Sequence, residues 1–167
     1  MTIIENIVLN LTVTIEADTQ RIARDIASLV QVGDIIALSG DLGTGKTVFS
    51  RAFIHALGGR GEVPSPTFTM VQSYDLGSLI VHHLDLYRME QPEDAFELGI
   101  EELFTTGVTL VEWPARLGVY LPNDRLNLMI SHPRRLSNAN TVRTITLEGV
   151  GSWQSRMKEL SWKLDDA

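Results

Sequence analysis

Gly40-Asp-Leu-Gly-Thr-Gly-Lys-Thr47 is the stretch that decides the fold. It fits G-x-x-x-x-G-K-[ST] in full, a pattern with a physical reason at each fixed position. Glycines at 40, 43 and 45 permit backbone angles that turn successive N–H groups inward as an anion nest. A helix opening at Lys46 adds the positive end of its dipole. Lys46 supplies a cation for β- and γ-phosphates, and Thr47 supplies a hydroxyl for Mg²⁺. The expected nucleotide contacts are therefore Asp41, Leu42, Gly43, Thr44, Gly45, Lys46, Thr47 and Val48.

The flanks have the form this loop needs. Residues 34–39 carry the continuous apolar run Ile35-Ile-Ala-Leu38, as expected of a strand buried on both faces of a parallel sheet. The helix after the loop turns Val48, Phe49, Ala52, Phe53, Ala56 and Leu57 inward and stops at Gly58-Gly59. Upstream, residues 11–16 alternate as a strand. Asp18 or Thr19 then caps a helix with Ile22, Ile26, Leu29 and Val30 on one face, ended by Gly33.

Downstream, residues 67–74 and 79–84 read as strands joined by the turn Asp75-Leu-Gly-Ser78. A helix opens at Pro92 and carries Phe96, Leu98, Ile100, Leu103 and Phe104. Residues 108–111 form a second compact strand ending in Glu112, and residues 125–131 and 142–148 alternate and pair. Trp153, Met157, Leu160 and Leu164 give an amphipathic helix at about residues 151–164, expected to pack on the body. Together these predict one α/β domain over residues 1–167, a three-layer P-loop NTPase-like fold with a central mixed, largely parallel sheet.

Composition narrows the function. With 14 Lys+Arg against 21 Asp+Glu the formal charge is −7, which argues against the clustered cations of sequence-blind DNA binding. The cysteine count is 0, so disulfides, thiolate zinc sites and cysteine nucleophiles are excluded. No apolar run approaches the ~18 residues of a membrane span, and the expectation is a cytoplasmic protein. The one basic spot, His132-Pro-Arg-Arg135 with Arg143, reads first as a solvated loop.

A phosphate loop needs a carboxylate across the Mg²⁺, at the C-terminal end of a neighbouring buried strand. Glu112, ending Thr109-Leu-Val-Glu, and Asp85, following Val81-His-His-Leu, both answer that description. Spacing does not decide between them. The reading favours Glu112 at the metal and Asp85 on the attacking water, so Lys46, Asp85 and Glu112 are the expected catalytic set, with Thr47 and Glu112 at the metal. Ser65 and Thr67 in Val63-Pro-Ser-Pro-Thr-Phe68 offer hydroxyls where a γ-phosphate sensor would sit, or simply line a proline-bracketed loop. His83 reads more readily as a packed histidine than as a general base. Arg88 leads Arg51 and Arg116 as a charge-neutralising arginine; if none reaches in, hydrolysis should be slow and partner-dependent. The guanine-reading Asn-Lys-x-Asp is absent, which favours adenine.

In that order, GDLGTGKT at 40–47, VPSPTF at 63–68, HLDLYR at 83–88 and VEWP at 111–114 resemble the bacterial TsaE (YjeE) family over about residues 10–150. The resemblance implies ATP and Mg²⁺ as ligands, weak intrinsic ATP hydrolysis and stimulation by the TsaB and TsaD proteins. Their complex modifies adenosine 37 of tRNA with a threonylcarbamoyl group, and tRNA is met only indirectly. It further implies an essential role for Asp85, a metal-site role for Glu112, a switch-like segment at Ser65 and Thr67, and Trp113 beside the nucleotide. Ala115 departs from the family pattern, and the segment from about residue 151 carries no family motif. Two other functions stay open: a small-molecule P-loop kinase, and a nucleotide-gated binding module with little hydrolysis.

Overall fold

The apolar run after Asp34 forms β2 (Ile35–Ser39), and four of its five residues are buried. The computed structural model describes residues 7–132 and 142–165. Before β2 come β1 (Val8–Val13) and α1 (Glu16–Ala27); after it come α2 (Lys46–Ala56), β3 (Val71–Asp75) and β4 (Ile80–Asp85). A 3-10 segment, Pro92–Leu98, leads into α3 (Ile100–Thr106) and β5 (Val108–Glu112). A second 3-10 segment, Pro114–Tyr120, precedes β6 (Arg125–Ser131), β7 (Arg143–Val150) and α4 (Trp153–Asp165).

The strands make one seven-stranded mixed sheet in the order β1-β7-β6-β2-β5-β4-β3. Its centre, β6-β2-β5-β4, is parallel, and antiparallel strands extend it on both sides. The pleat divides the core in two. Ile36, Leu38, Val81, Leu110 and Leu128 pack under α1, α2 and α4. Ile35, Leu84 and Val111 face Ala95, Ile100 and Leu117 on the opposite side. This is the three-layer α/β arrangement the sequence predicts. No helix among the described residues is long and apolar enough to cross a membrane.

Several predicted boundaries move, each for a local reason. The first strand runs over Val8–Val13 rather than 11–16, because its register against β7 starts at Val8↔Glu148. Helix α1 is capped at Ile15, not at Asp18 or Thr19. Asp18 sits one turn in, where its carboxylate accepts from the Ile15 N–H (3.1 Å) and the Thr14 N–H (2.8 Å). Those two amides hold its carboxyl below the usual carboxylate range. The helix also ends at Ala27, so Leu29 and Val30 pack from the connecting turn. Residues 67–70 form a turn and not the start of β3. The helix predicted from Pro92 is broken at Gly99, whose φ of 71° separates the 3-10 segment from α3. Ala56 is exposed, and Ile54 takes its place inward.

Helix α4 lies against β7 and α1, away from the phosphate loop, with Trp153, Met157 and Leu160 fully buried. Arg156 anchors it. The guanidinium meets both oxygens of Asp34 at 2.6 and 2.7 Å, donates to the Leu29 carbonyl at 3.0 Å, and lies 3.9 Å over the Trp153 ring. Gly149 makes the close seating possible: a Cβ there would stand 2.6 Å from Met157 Cγ and 2.8 Å from the Trp153 carbonyl. Gly149→Val should therefore overpack this contact and cost about 1–3 kcal/mol, read as a lowered urea midpoint. An unchanged midpoint would mean that α4 is not seated on β7 as described.

Candidate functional site

Parallel strands deliver their C-terminal ends to one edge of a sheet, and connections leaving that edge form clefts there. Here β2, β5 and β4 end together: Leu38 pairs with Glu112, and Glu112 pairs with Asp85. The phosphate loop leaves β2 at this edge. Gly40 has a φ of 145°, and a Cβ on it would lie 2.4 Å from the Ile130 carbonyl oxygen, so only glycine fits the exit. Gly43 and Gly45 have φ of 77° and 109°, and α2 begins at the next residue.

A cleft of about 310 Å³ lies over the loop. Leu42, Gly43, Gly45, Lys46, Thr47, Val48, Ser65, Thr67, Asp85, Glu112 and Trp113 all line it, and so does Tyr87. Two predicted residues are placed differently. Asp41 is exposed, and its carbonyl receives both the Thr44 hydroxyl (2.9 Å) and the Lys46 ammonium (2.9 Å). The Thr44 side chain is thus used to brace the loop from behind.

Lys46 folds back across the loop. Its ammonium donates to the Gly40 carbonyl at 2.6 Å and lies 4.3 Å from the Trp113 ring centroid. Only 5 % of the residue is exposed. Burial pushes the ammonium below its ordinary pKa of 10.5, while Glu112, Asp85 and Asp41 pull it back up. Trp113 reaches this position through a left-handed backbone, φ 61°, and its ring packs 5.0 Å from Tyr87.

The two acids have separate surroundings. Glu112 Oε1 accepts from the His83 imidazole at 2.8 Å, from Ser50 at 3.4 Å and from Thr47 at 3.5 Å. Asp85 accepts from the Thr67 hydroxyl at 2.9 Å, from the Tyr87 N–H at 3.0 Å and from Ser65 at 3.5 Å. Because Thr67 spends its proton on the carboxylate, the 2.7 Å contact between the hydroxyls has Ser65 donating, and its 3.5 Å approach to Asp85 is the weaker share of the same proton. The backbone ties the same loop down: the Asp85 N–H donates to the Met70 carbonyl at 2.9 Å, and Met70 is itself left-handed at φ 62°. Hydroxyls and carboxylates are hard oxygen donors, and a set of one hydroxyl with one or two carboxylates suits Mg²⁺ that shares its shell with phosphate oxygens.

None of the three candidate arginines lines the cleft. Arg88 lies 5.1 Å over the Phe68 ring, Arg51 donates to the Val63 carbonyl at 3.4 Å, and Arg116 is exposed. His82 bridges Ser73 and Thr106 at 2.8 and 2.9 Å on the opposite face of the sheet. Of the basic spot, residues 133–135 lie outside the described residues. Two contributors were missed from sequence. Tyr87 lies two positions past Asp85, and Ser50 lies one helical turn past Lys46; both spacings were available as signals.

The family model described as "Threonylcarbamoyl adenosine biosynthesis protein TsaE" matches residues 13–141. The tRNA threonylcarbamoyladenosine biosynthesis protein TsaE of Bacillus subtilis (strain 168) is 38% identical over 146 residues, 86% of this chain and 88% of that one. Its counterpart in Rickettsia bellii (strain RML369-C) is 35% identical over 127 residues, 74% of this chain and 88% of the relative. In three dimensions the chain is similar to the crystal structure of Bacillus subtilis YdiB, with a TM-score of 0.76 and 32% identity over 96% of each chain.

The Lys46 environment sets a pH dependence. Its folded-state pKa is lowered, so the ammonium is lost at a lower pH than in the unfolded chain, and a polyphosphate bound beside it raises that pKa again. Triphosphate affinity should fall as pH rises toward 10.5, with proton uptake on binding in that window. Calorimetry in two buffers of different ionisation enthalpy reads this directly. Proton release, or no exchange anywhere in the window, would contradict it.

Proposed function

This chain belongs to the TsaE family, and from that premise we propose that it is an ATP-hydrolysing subunit of the tRNA threonylcarbamoyladenosine machinery, working with TsaB and TsaD. We read residues 1–167 as one cytoplasmic domain. One observation carries the proposal: Lys46 and Thr47 share a cleft with two carboxylates held side by side by strand register.

In this reading the amides of residues 41–48 and the Lys46 ammonium bind the phosphates. A neighbouring cavity of about 450 Å³ supports a place for the base. It lies against Thr14, Ile15, Thr44 and Arg143 and shares Gly43, Gly45 and Val48 with the first cleft. Thr47 and Glu112 would hold Mg²⁺, which would supply positive charge to neutralise the phosphates. Asp85 orients the attacking water and takes its proton. The water oxygen bonds to the γ-phosphorus as the bond to the β,γ-bridging oxygen breaks, and ADP and phosphate leave. Ser65 and Thr67, already tied to Asp85, report whether a γ-phosphate is present. Trp113 and Tyr87 wall the cleft beside Lys46.

No arginine of the described residues lines the cleft, so those residues leave transition-state charge under-compensated. A supplied arginine is worth roughly 10³–10⁵ in rate, so partner-stimulated turnover follows. The test is phosphate release from labelled ATP by this chain alone and with the TsaB–TsaD pair. Slow release alone and a clear rise with the pair is the expected result; equal rates would overturn the role. Label transferred to an added small-molecule acceptor would favour the kinase reading instead. Lys46→Ala should lower turnover by about 10²–10³-fold while leaving the circular dichroism spectrum unchanged; full activity in that variant would remove the assignment.

A further inference from the structure

His83 is fully buried on β4, on the same sheet face as Asp85, and does not line the cleft. Its Nε2 lies 2.8 Å from Glu112 Oε1. Its Nδ1 is buried and has no hydrogen-bond partner. Those two facts together discriminate among the ring's protonation states.

An imidazolium would bury an Nδ1–H with nothing to receive it. A neutral ring protonated on Nδ1 would do the same and would also set the Nε2 lone pair against a carboxylate oxygen. A buried donor left unmade costs about 1–3 kcal/mol, more when charged. Only the neutral Nε2–H form makes its bond and strands no donor. The contact is then a hydrogen bond from a neutral ring to an ionised carboxylate, and the bare Nδ1 is buried from solvent.

We propose that His83 is a positioning residue, locked as the Nε2–H tautomer, whose single hydrogen bond fixes Glu112 so that its second oxygen is the one offered to the metal. Three donors, His83, Ser50 and Thr47, converge on Oε1, and His83 is the nearest. Oε2 has no hydrogen-bond partner among the described residues, and Glu112 lines the cleft. Ser50 cannot substitute for the histidine, because its one proton is shared between the Lys46 carbonyl at 3.0 Å and Glu112 at 3.4 Å, and the carbonyl has the larger share. The same geometry removes general-base chemistry from His83. A ligand's partner outside the metal shell commonly governs both the orientation and the basicity of that ligand.

The metal part of this inference rests on the reading of Glu112 given above, so the test has two independent arms. In ligand-free wild-type protein, nitrogen-15 NMR should find the His83 proton on Nε2 and none on Nδ1. A proton on Nδ1, or on both nitrogens, overturns the inference. In the second arm, calorimetry measures ATP binding in EDTA and then the Mg²⁺ needed to saturate the ATP-loaded protein. His83→Leu should leave metal-free ATP affinity unchanged and raise the Mg²⁺ requirement by about 10–100-fold. His83→Gln, whose amide nitrogen can stand near the lost Nε2, should recover most of that loss. A Leu variant with wild-type Mg²⁺ dependence overturns the proposal, as does a folded Gln variant impaired as badly as the Leu variant. A wild-type protein that binds no ATP overturns the proposed function and the metal half with it, while the tautomer is still decided by NMR.

Discussion

The parallel register of three strands governs the chemistry available to this protein. Leu38 faces Glu112 and Glu112 faces Asp85, so a phosphate loop and two acids leave the sheet at one edge with no freedom to drift apart. A one-residue slip in either pairing would turn a carboxylate to the other face of the sheet. Apolar packing opposes such a slip, because Val81 and Leu110 sit in one half of the core while Leu84 and Val111 sit in the other. Function and stability therefore depend on the same pleat.

That constraint creates an electrostatic cost and also relieves it. Lys46, Asp85 and Glu112 are each at most 5 % exposed, and isolated charges are not kept so deep. Lys46 is offset by two loop carbonyls and an indole face, Glu112 by an imidazole and two hydroxyls, and Asp85 by two hydroxyls and an amide. Among the described residues neither carboxylate makes an ion pair with a lysine or an arginine. A divalent cation entering the cleft would meet acids that are already oriented and not yet neutralised.

Much of this was legible in the sequence because it is written in short-range chemistry. The eight residues of the loop carry their own geometry, and Ile35–Leu38 and Val108–Val111 are short, mostly apolar runs of the kind buried strands have. Both acids stand at strand ends, Glu112 after Val108–Val111 and Asp85 after Val81-His-His-Leu84. What was not legible is side-chain reach. Glycines, hydroxyls and a lysine in one motif look equivalent on paper, yet the Thr44 hydroxyl braces the loop and the Asp41 carbonyl receives it together with the Lys46 ammonium. Helix ends differ from the expectation where a competing bond wins: Asp18 bonds the Ile15 cap amide from inside the first turn, and Gly99 breaks a helix that the apolar spacing continues. The α4 helix shows its apolar stripe in sequence, but its anchor, Arg156 on Asp34, is a contact across 122 positions that no local pattern reveals.

The most direct measurement is a crystal structure with Mn²⁺ in place of Mg²⁺ and a non-hydrolysable ATP analogue. The account predicts an anomalous manganese peak bonded to the Thr47 hydroxyl and a Glu112 oxygen, with the terminal phosphates on the amides of residues 43–47 and the Lys46 ammonium. Metal or phosphates bound elsewhere, or a cleft left empty at saturating analogue, would contradict it.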